Sequence, residues 1–449
     1  MSNGTLRQIR IVACLVAARA LVMAQDSVGM QINSPPASAL AAPTAPQTPA
    51  ASPKTPIQRL TLEQALEIAE LNNPRLKVAG AQRENAYAGI TTARAYPNPE
   101  FKFMAGSQSA FLNSSITGPY QDYAINQPIE LPSVRSTRIE AAQLGNSASI
   151  LALDEARLAV RAGVKQAFYS ILRRRDELGL TQENLRLIEE LRRRIQVQVQ
   201  VGEAARLELI RAESEVATAR VLVNSAQLRL VAAIAALEAT LGVPLAGNIE
   251  AQGALETPPV LPAVETLESQ MLGRHPAIAQ AQTLVRRSEA LLQNEKAQRK
   301  PRPAIEGEIE RMPDSYVSRI GVTLPLPIWN RREGNIAQAV AAVREAPAVA
   351  TQRRVDLIAS LEVAYGQYQV TGQQIASFQQ GVLVEAEAAV RAAEAAYRFG
   401  ERGILDVLDA QRVLRSVRTD FLNAQYDRQA ALIELERLRA VEPPGGNRP

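Results

Sequence analysis

The sequence predicts a mainly α-helical protein with a membrane β-barrel, built from a helix–strand–strand–helix–helix unit that occurs twice. Three observations lead there. Four short motifs recur in the same order at an offset of roughly 200 residues. Long tracts rich in Ala, Leu, Gln, Arg and Glu favour helix. Between them, each half carries a pair of short segments in which apolar and polar side chains alternate, the pattern of strands with two different faces.

The chain of 449 residues opens like an export signal. Arg7 and Arg10 precede an apolar run from Ile11 to Ala18, and a second run ends at Val22-Met23-Ala24, so a signal peptide is expected over 1–24. Cys14 ends an Ile-Val-Ala-Cys sequence similar to a lipoprotein processing site. So little apolar sequence precedes it that Cys14 is read as part of the removed signal, with lipid attachment through it left open. Residues 25–57, rich in Pro and Ala, are expected to form a flexible tether, and 442–449 a disordered tail. No later run approaches the roughly 18–20 apolar residues of a spanning helix, so any membrane crossing is expected to use strands.

The duplication is read from paired motifs. Leu62–Leu76 reads LEQALEIAELNNPRL and Val264–Ile278 reads VETLESQMLGRHPAI, each with its proline, Pro74 or Pro276, near the end. Tyr96-Pro97-Asn98-Pro99 is echoed by Lys300-Pro301-Arg302-Pro303. Gln127-Pro128-Ile129-Glu130-Leu131-Pro132 is echoed by Leu324-Pro325-Leu326-Pro327-Ile328-Trp329. Val201-Gly202-Glu203 is echoed by Phe399-Gly400-Glu401. The repeats are placed at 58–248 and 260–441.

In the first repeat, helices are expected at 62–94, 133–200 and 203–243, with strands at 100–108 and 121–128. In the second, helices are expected at 263–299, 333–398 and 404–441, with strands at 304–310 and 316–325. Val164, Ile171, Leu178 and Leu185 recur at heptad spacing, as in a coiled coil. Pro347 should bend the second long helix. At 1.5 Å per residue each long helix spans about 100 Å, and the two short helices of each half together about 110 Å. The economical arrangement lays each long helix beside two short ones placed end to end, giving a wall of four helical columns.

Along the third strand Ile305, Gly307 and Ile309 face one way and Glu306, Glu308 and Glu310 the other. Tyr316, Ile320, Val322 and Leu324 oppose Val317, Arg319, Gly321 and Thr323. Phe101 and Phe103 begin a similar pattern, and Tyr120 and Tyr123 flank the second strand. One apolar face, one charged face and aromatics near the ends suit a membrane barrel. A soluble amphipathic hairpin packed on a helix gives the same pattern for any single pair. Four strands cannot close a barrel, and lipid does not tolerate open edges, so several copies must share one.

Composition removes other classes. The 50 basic and 46 acidic residues leave a net charge of +4, a balance that suits solvated helix faces and gives no nucleic-acid footprint. A single cysteine and a single histidine, His275, disfavour disulfides, zinc centres and nucleophilic catalysis, and no phosphate-binding loop or nucleophile elbow is present. No enzyme activity, cofactor or resident metal is expected, and His275, beside Pro276, is read as structural. A secreted coiled-coil scaffold without a pore explains the helices but not the duplicated Glu/Ile hairpins.

Four sets of residues carry a family resemblance. They are Leu62-Glu63-Gln64-Ala65-Leu66 with Asn73-Pro74, Tyr96-Pro97-Asn98-Pro99, Pro325 to Arg331 with Gly334-Asn335, and Phe399-Gly400 followed by Leu405 to Ala410. From about residue 58 to 441 the chain resembles the outer-membrane efflux proteins typified by TolC, and within them the CzcC-like branch that serves heavy-metal cation pumps. The resemblance implies a homotrimer with a twelve-stranded barrel in outer-membrane lipid and a long α-helical tunnel in the periplasm. It also implies partners: a periplasmic adaptor (membrane fusion) protein and an inner-membrane RND transporter, which would supply energy and selection.

Asp406 and Asp409 match the acidic positions that line the periplasmic aperture in relatives; Glu208 and Arg211 are their counterparts in the first repeat. A carboxylate near a helix start also serves as an ordinary dipole partner. Gly202, Glu203, Gly400 and Glu401 would sit at the adaptor-docking tip. Glu306, Glu308 and Glu310 would face the barrel lumen, unless Arg319 pairs with them across the hairpin. Trp329 would anchor the membrane interface. The resemblance points to divalent heavy-metal cations as cargo, with drugs or other small organic compounds as the alternative.

Overall fold

The computed structural model describes residues 57–108, 117–245, 248–254 and 260–440. The signal peptide, Cys14, nearly all of the Pro/Ala-rich segment and the tail lie outside these residues. Strand β1 (Ile57–Leu60) starts on the last residue of that segment. Helix α1 (Leu62–Asn72) follows, opened by a capping box in which Thr61 and Gln64 each accept the other's backbone N–H.

The single helix expected over 62–94 is two. Pro74 cannot donate a backbone hydrogen bond and pushes the residue before it out of helical geometry, so Asn73 sits at φ −59°, ψ 124° between α1 and α2 (Pro74–Arg94). Its Oδ1 accepts from the Arg75 N–H at 2.8 Å and its Nδ2 donates to the Thr240 carbonyl. The second repeat corrects the expected 263–299 helix in the same way. His275, at φ −68°, ψ 124°, separates α5 (Val264–Arg274) from α6 (Pro276–Ala297), and its Nδ1 accepts from the Ala277 N–H at 3.2 Å.

Two long helical hairpins dominate. In the first, α3 (Pro132–Gln200) turns into α4 (Arg206–Leu241). Gly242 ends α4 at φ +79°, where a Cβ would lie 2.6 Å from Pro74 Cδ, so the close approach of the α1–α2 break requires glycine. In the second, α7 (Glu333–Ser377) passes through a π-helical turn (Phe378–Val382) into α8 (Leu383–Arg398), and α9 (Ile404–Leu438) returns. Pro347 lies within the α7 run, and a π-helical turn follows at Phe378–Val382.

Packing partners set the order of columns. α2 and α4 both lie against α3, α6 and α9 lie on α3 from the other side, and α7–α8 lies against α6 and α9. Three apolar clusters hold this layer. One joins α1, α3 and α4 around Phe168, Ile171 and Leu237, and a second joins α5, α7 and α9 around Leu267, Leu361 and Leu435. The third sits by the hairpin turns, where Ile188 and Ile195 of α3 meet Ala212 and Val216 of α4 and Ile404, Val407 and Leu408 of α9. Val164 and Ile171 are buried as their heptad spacing requires; Leu178 and Leu185 are half-buried. By length and composition α4 is apolar enough to cross a membrane, against the expectation that no such run follows the signal. Its place is the helical layer beside α3, where its outward stripe of Val221, Leu228 and Val231 stays exposed.

The hairpins β2–β3 (Glu100–Gln108, Gly118–Pro128) and β5–β6 (Ala304–Arg311, Tyr316–Thr323) join in one antiparallel sheet of order β2-β3-β5-β6. Tyr120 and Tyr123, expected to flank the second strand, lie inside it. Register aligns Phe101, Ile125, Gly307 and Ile320 across one face, and Lys102, Ala124, Glu308 and Arg319 across the other. Ile320 is 91% exposed, whereas Asp122 and Glu310 on the polar face are 1% and 7% exposed. A short parallel pair, β1 with β4 (Asn248–Ala251), was not expected; its Leu60 and Ala251 enter the first cluster.

Burial, with Arg437 and Arg353 nearby, pushes His275 down to about 4. The neutral ring caps α6, so the folded state disfavours a proton that the unfolded chain takes up near pH 6.5. This contribution is full above pH 6.5 and is lost as pH falls towards 4, to the extent of about 3 kcal/mol. Replacing His275→Asn keeps a cap and should flatten the decline in unfolding temperature across that pH range, read by scanning calorimetry.

Candidate functional site: the hairpin tips and the polar strand face

Both hairpin turns are built alike. After α3, Val201 caps the helix, Gly202 takes φ +84°, and the Glu203 N–H donates to the Gln198 carbonyl at 2.8 Å. After α8, Gly400 takes φ +75° and the Glu401 N–H donates to the Ala396 carbonyl at 2.9 Å. These are Schellman closures, in which a left-handed glycine lets the last helical carbonyls find donors. Gly202, Glu203, Gly400 and Glu401 are all exposed at the turns.

Asp406 lies in the first turn of α9 and Asp409 one turn on, both exposed, while Val407 and Leu408 point into the tip cluster. Asp409 accepts from Arg412 at 3.0 Å. Among the described residues, neither Asp406 nor Arg211 forms an ion pair. Glu208 accepts at 3.2 Å from the hydroxyl of Tyr397, which also donates to Gln198 Oε1 at 2.9 Å. Burial, then the charge of Glu208, pushes the Tyr397 phenol up to about 12, so it stays a donor at any physiological pH. Its one proton is shared between a glutamine on α3 and a carboxylate on α4, which ties α8 to the first hairpin. Beside it Glu215 of α4, only 5% exposed, accepts from Arg412 at 2.7 Å and lies 3.7 Å from Arg415, both on α9.

On the sheet, Arg319 pairs with Glu308 at 3.3 Å and with Glu310, while Glu306 accepts from the Thr323 hydroxyl at 3.1 Å. Cross-hairpin pairing is therefore realised, and it occupies two of the three acidic side chains. Trp329, after β6, is 95% exposed, with Leu326 and Ile328 exposed beside it.

Residues 65–243 and 267–440 match the family of outer membrane efflux proteins. The chain belongs to that family. As an outer membrane efflux protein it is a passive channel and not an enzyme, placed in the outer membrane and extending into the periplasm. The cobalt-zinc-cadmium resistance protein CzcC of Cupriavidus metallidurans is 30% identical over 383 residues, covering 84% of this chain and 90% of that one. The pyoverdine export outer membrane protein OpmQ of Pseudomonas putida is 26% identical and covers 91% of both chains. The crystal structure of CusC superposes with a TM-score of 0.74 at 20% identity, covering 84% of this chain and 91% of that one. The CmeC outer membrane channel of Campylobacter jejuni gives 0.74 at 19% identity, over 84% and 85%.

Sequence reading singled out neither Tyr397 nor Glu215. Tyr397 stands three residues before the turn glycine, where an aromatic passes as ordinary helix packing. Glu215, among the many Glu and Arg side chains of a helical surface, gave no signal of burial. Changing Tyr397→Phe removes the shared hydroxyl at a cost of about 1 kcal/mol. Amide exchange at the two turns should then speed up about fivefold, measured by hydrogen–deuterium mass spectrometry.

Proposed function

We propose that this outer membrane efflux protein works as a homotrimeric duct, fed by a periplasmic adaptor that docks at the hairpin tips and by an inner-membrane RND transporter. The observation that carries this reading is that both layers are open at the same two edges. The sheet ends at β2 and β6, and the helical layer ends at α2/α4 and at α7/α8. α2 leads directly into β2, and β6 leads directly into α7. Unpaired strand edges cannot remain in lipid, and both helical edges are apolar: Val221, Leu228 and Val231 on α4, and Val363 and Val370 on α7. Head-to-tail joining of unlike edges closes into a ring. Three copies of the four-stranded sheet make a barrel of twelve strands, the count the family resemblance implies.

In that ring Phe101, Ile125, Ile309 and Ile320 meet lipid, while Glu306, Glu308 and Glu310 face water in the lumen. Trp329 sits at the headgroup level on the periplasmic side. Asp406 and Asp409, with Glu208 and Arg211, line the periplasmic aperture. A threefold ring of carboxylates in a narrow entrance concentrates cations and repels anions. The cargo we infer is broad, comprising small exported solutes whose selection is made by the pump, drugs and other organic compounds among them. A second reading, divalent heavy-metal cations, is favoured by the relative named for cobalt, zinc and cadmium resistance and by the acidic strand face. The relative named for pyoverdine export, similar along nearly its whole length, supports the broader reading.

Two experiments test the duct. Leu228→Glu places three charges in the seam; it should convert the detergent-extracted trimer to monomer on native mass spectrometry while leaving helical circular dichroism intact. The reconstituted trimer should give stable unitary currents with cation preference in a planar bilayer, and changing Asp406 and Asp409 together to alanine should weaken that preference. A folded trimer that passes no current would overturn the duct.

A further inference from the structure

Glu215 is a charged side chain with almost no exposure, and its α4 neighbours Ala212 and Val216 belong to the apolar cluster at the tip. A buried carboxylate persists only where cations and hydrogen bonds compensate it. Here α9 supplies both. Arg412 Nη2 donates to Glu215 Oε2 at 2.7 Å and its Nε reaches Oε1 at 3.5 Å, a two-pronged grip; Arg415 stands 3.7 Å from Oε1. The remaining prong of Arg412, Nη1, donates to Asp409 at 3.0 Å. Asp409, Arg412, Glu215 and Arg415 thus form a quartet with two charges of each sign.

Resting on the aperture reading above, we propose that Arg412, held in place by Glu215, determines the ionic selectivity of the aperture by cancelling Asp409, which leaves Asp406 as the acidic group of α9 that acts on passing ions. Asp406, Asp409 and Arg412 recur every three residues along one side of α9, so each is the next one's neighbour. Two carboxylates at that spacing repel, and an arginine one turn further on relieves the inner one. A guanidinium stays charged at any pH the protein meets, so the cancellation does not depend on pH. A free arginine side chain would spend much of its time in other rotamers; Glu215 removes that freedom, which makes it a positioning residue for Arg412. The other charged aperture positions are Arg211, unpaired among the described residues, and Glu208, which accepts from the Tyr397 hydroxyl. These two carry opposite charges, so Asp406 supplies the net charge of the ring. Arg412 and Glu215 were not among the residues singled out for the aperture, and Asp409, taken alone, reads as equal to Asp406.

The test is the reversal potential of the reconstituted trimer in a potassium chloride gradient across a planar bilayer. Arg412→Gln should raise the cation-over-anion permeability ratio by about twofold or more, because three uncancelled Asp409 carboxylates add to a potential of several kT. The double variant Arg412→Gln with Asp409→Asn should return the ratio to the parent value, and Arg412→Lys, which keeps the charge, should stay near it. Glu215→Gln leaves two arginines against one aspartate and should lower the ratio; this variant carries the test if Arg412→Gln does not assemble. If Asp406→Asn shifts the ratio while Arg412→Gln and Glu215→Gln leave it unchanged, the inference is overturned and the aperture reading stands. If Asp406→Asn has no effect either, the aperture reading itself falls.

Discussion

The backbone groups along the outer rims of β2 and β6 constrain everything else in this molecule. A strand edge in water can be blunted or solvated, but an edge in hydrocarbon leaves each free N–H and C=O at a cost of several kcal/mol. Four strands are too few to bend round and meet, so the sheet has to end on another chain. Because α2 runs straight into β2 and β6 runs straight into α7, a chain that completed the sheet would also lie beside the helical edges. In the proposed trimer, the valines exposed on α4 and α7 would continue into the periplasm a seam that begins in the membrane.

The duplication makes that seam possible. One hairpin of strands with one helical hairpin would give a two-column unit, and repeating it doubles the layer while keeping its two edges unlike. The breaks at Asn73 and His275 serve the same end. Each sits before a proline at the point where a short upper helix begins, and each uses its own side chain to cap that helix. The first also reaches across to the Thr240 carbonyl at the end of the lower helix, so the two short helices of that column are stitched where they meet.

Much of this was legible in the sequence, for reasons that can be named. Motifs paired at a near-constant offset exposed the duplication, and strict alternation from Ala304 to Glu310 gave the two faces of a strand that a fixed period of two cannot disguise. Long runs free of breaking residues gave the columns. Other features carried no local signature. β1 and β4 are four residues each, too short to show a period, and pair across the whole first repeat. The π turn holds one residue more than an α turn, which rotates everything after it by about 100°. A pattern read with a single phase along 333–398 passes over such a step. Pro74 and Pro276 each start a new helix after a one-residue break, and Pro347 sits inside a continuous one.

The tip raises a question of design that the apolar core does not: why α4 should bury a carboxylate next to Val216, a member of the apolar tip cluster, when a leucine could take its place. Replacing a buried ion pair by well-packed apolar side chains is often neutral or stabilising, so Glu215 is a poor choice for stability alone. A leucine, however, has no preferred partner and would hold α4 against α9 in any rotation that kept it dry. The forked contact between Glu215 and Arg412 is satisfied in one relative orientation of the two helices, and so is the hydrogen bond from Tyr397 to Glu208. Polar links of this kind define a position, which an apolar contact of the same size does not.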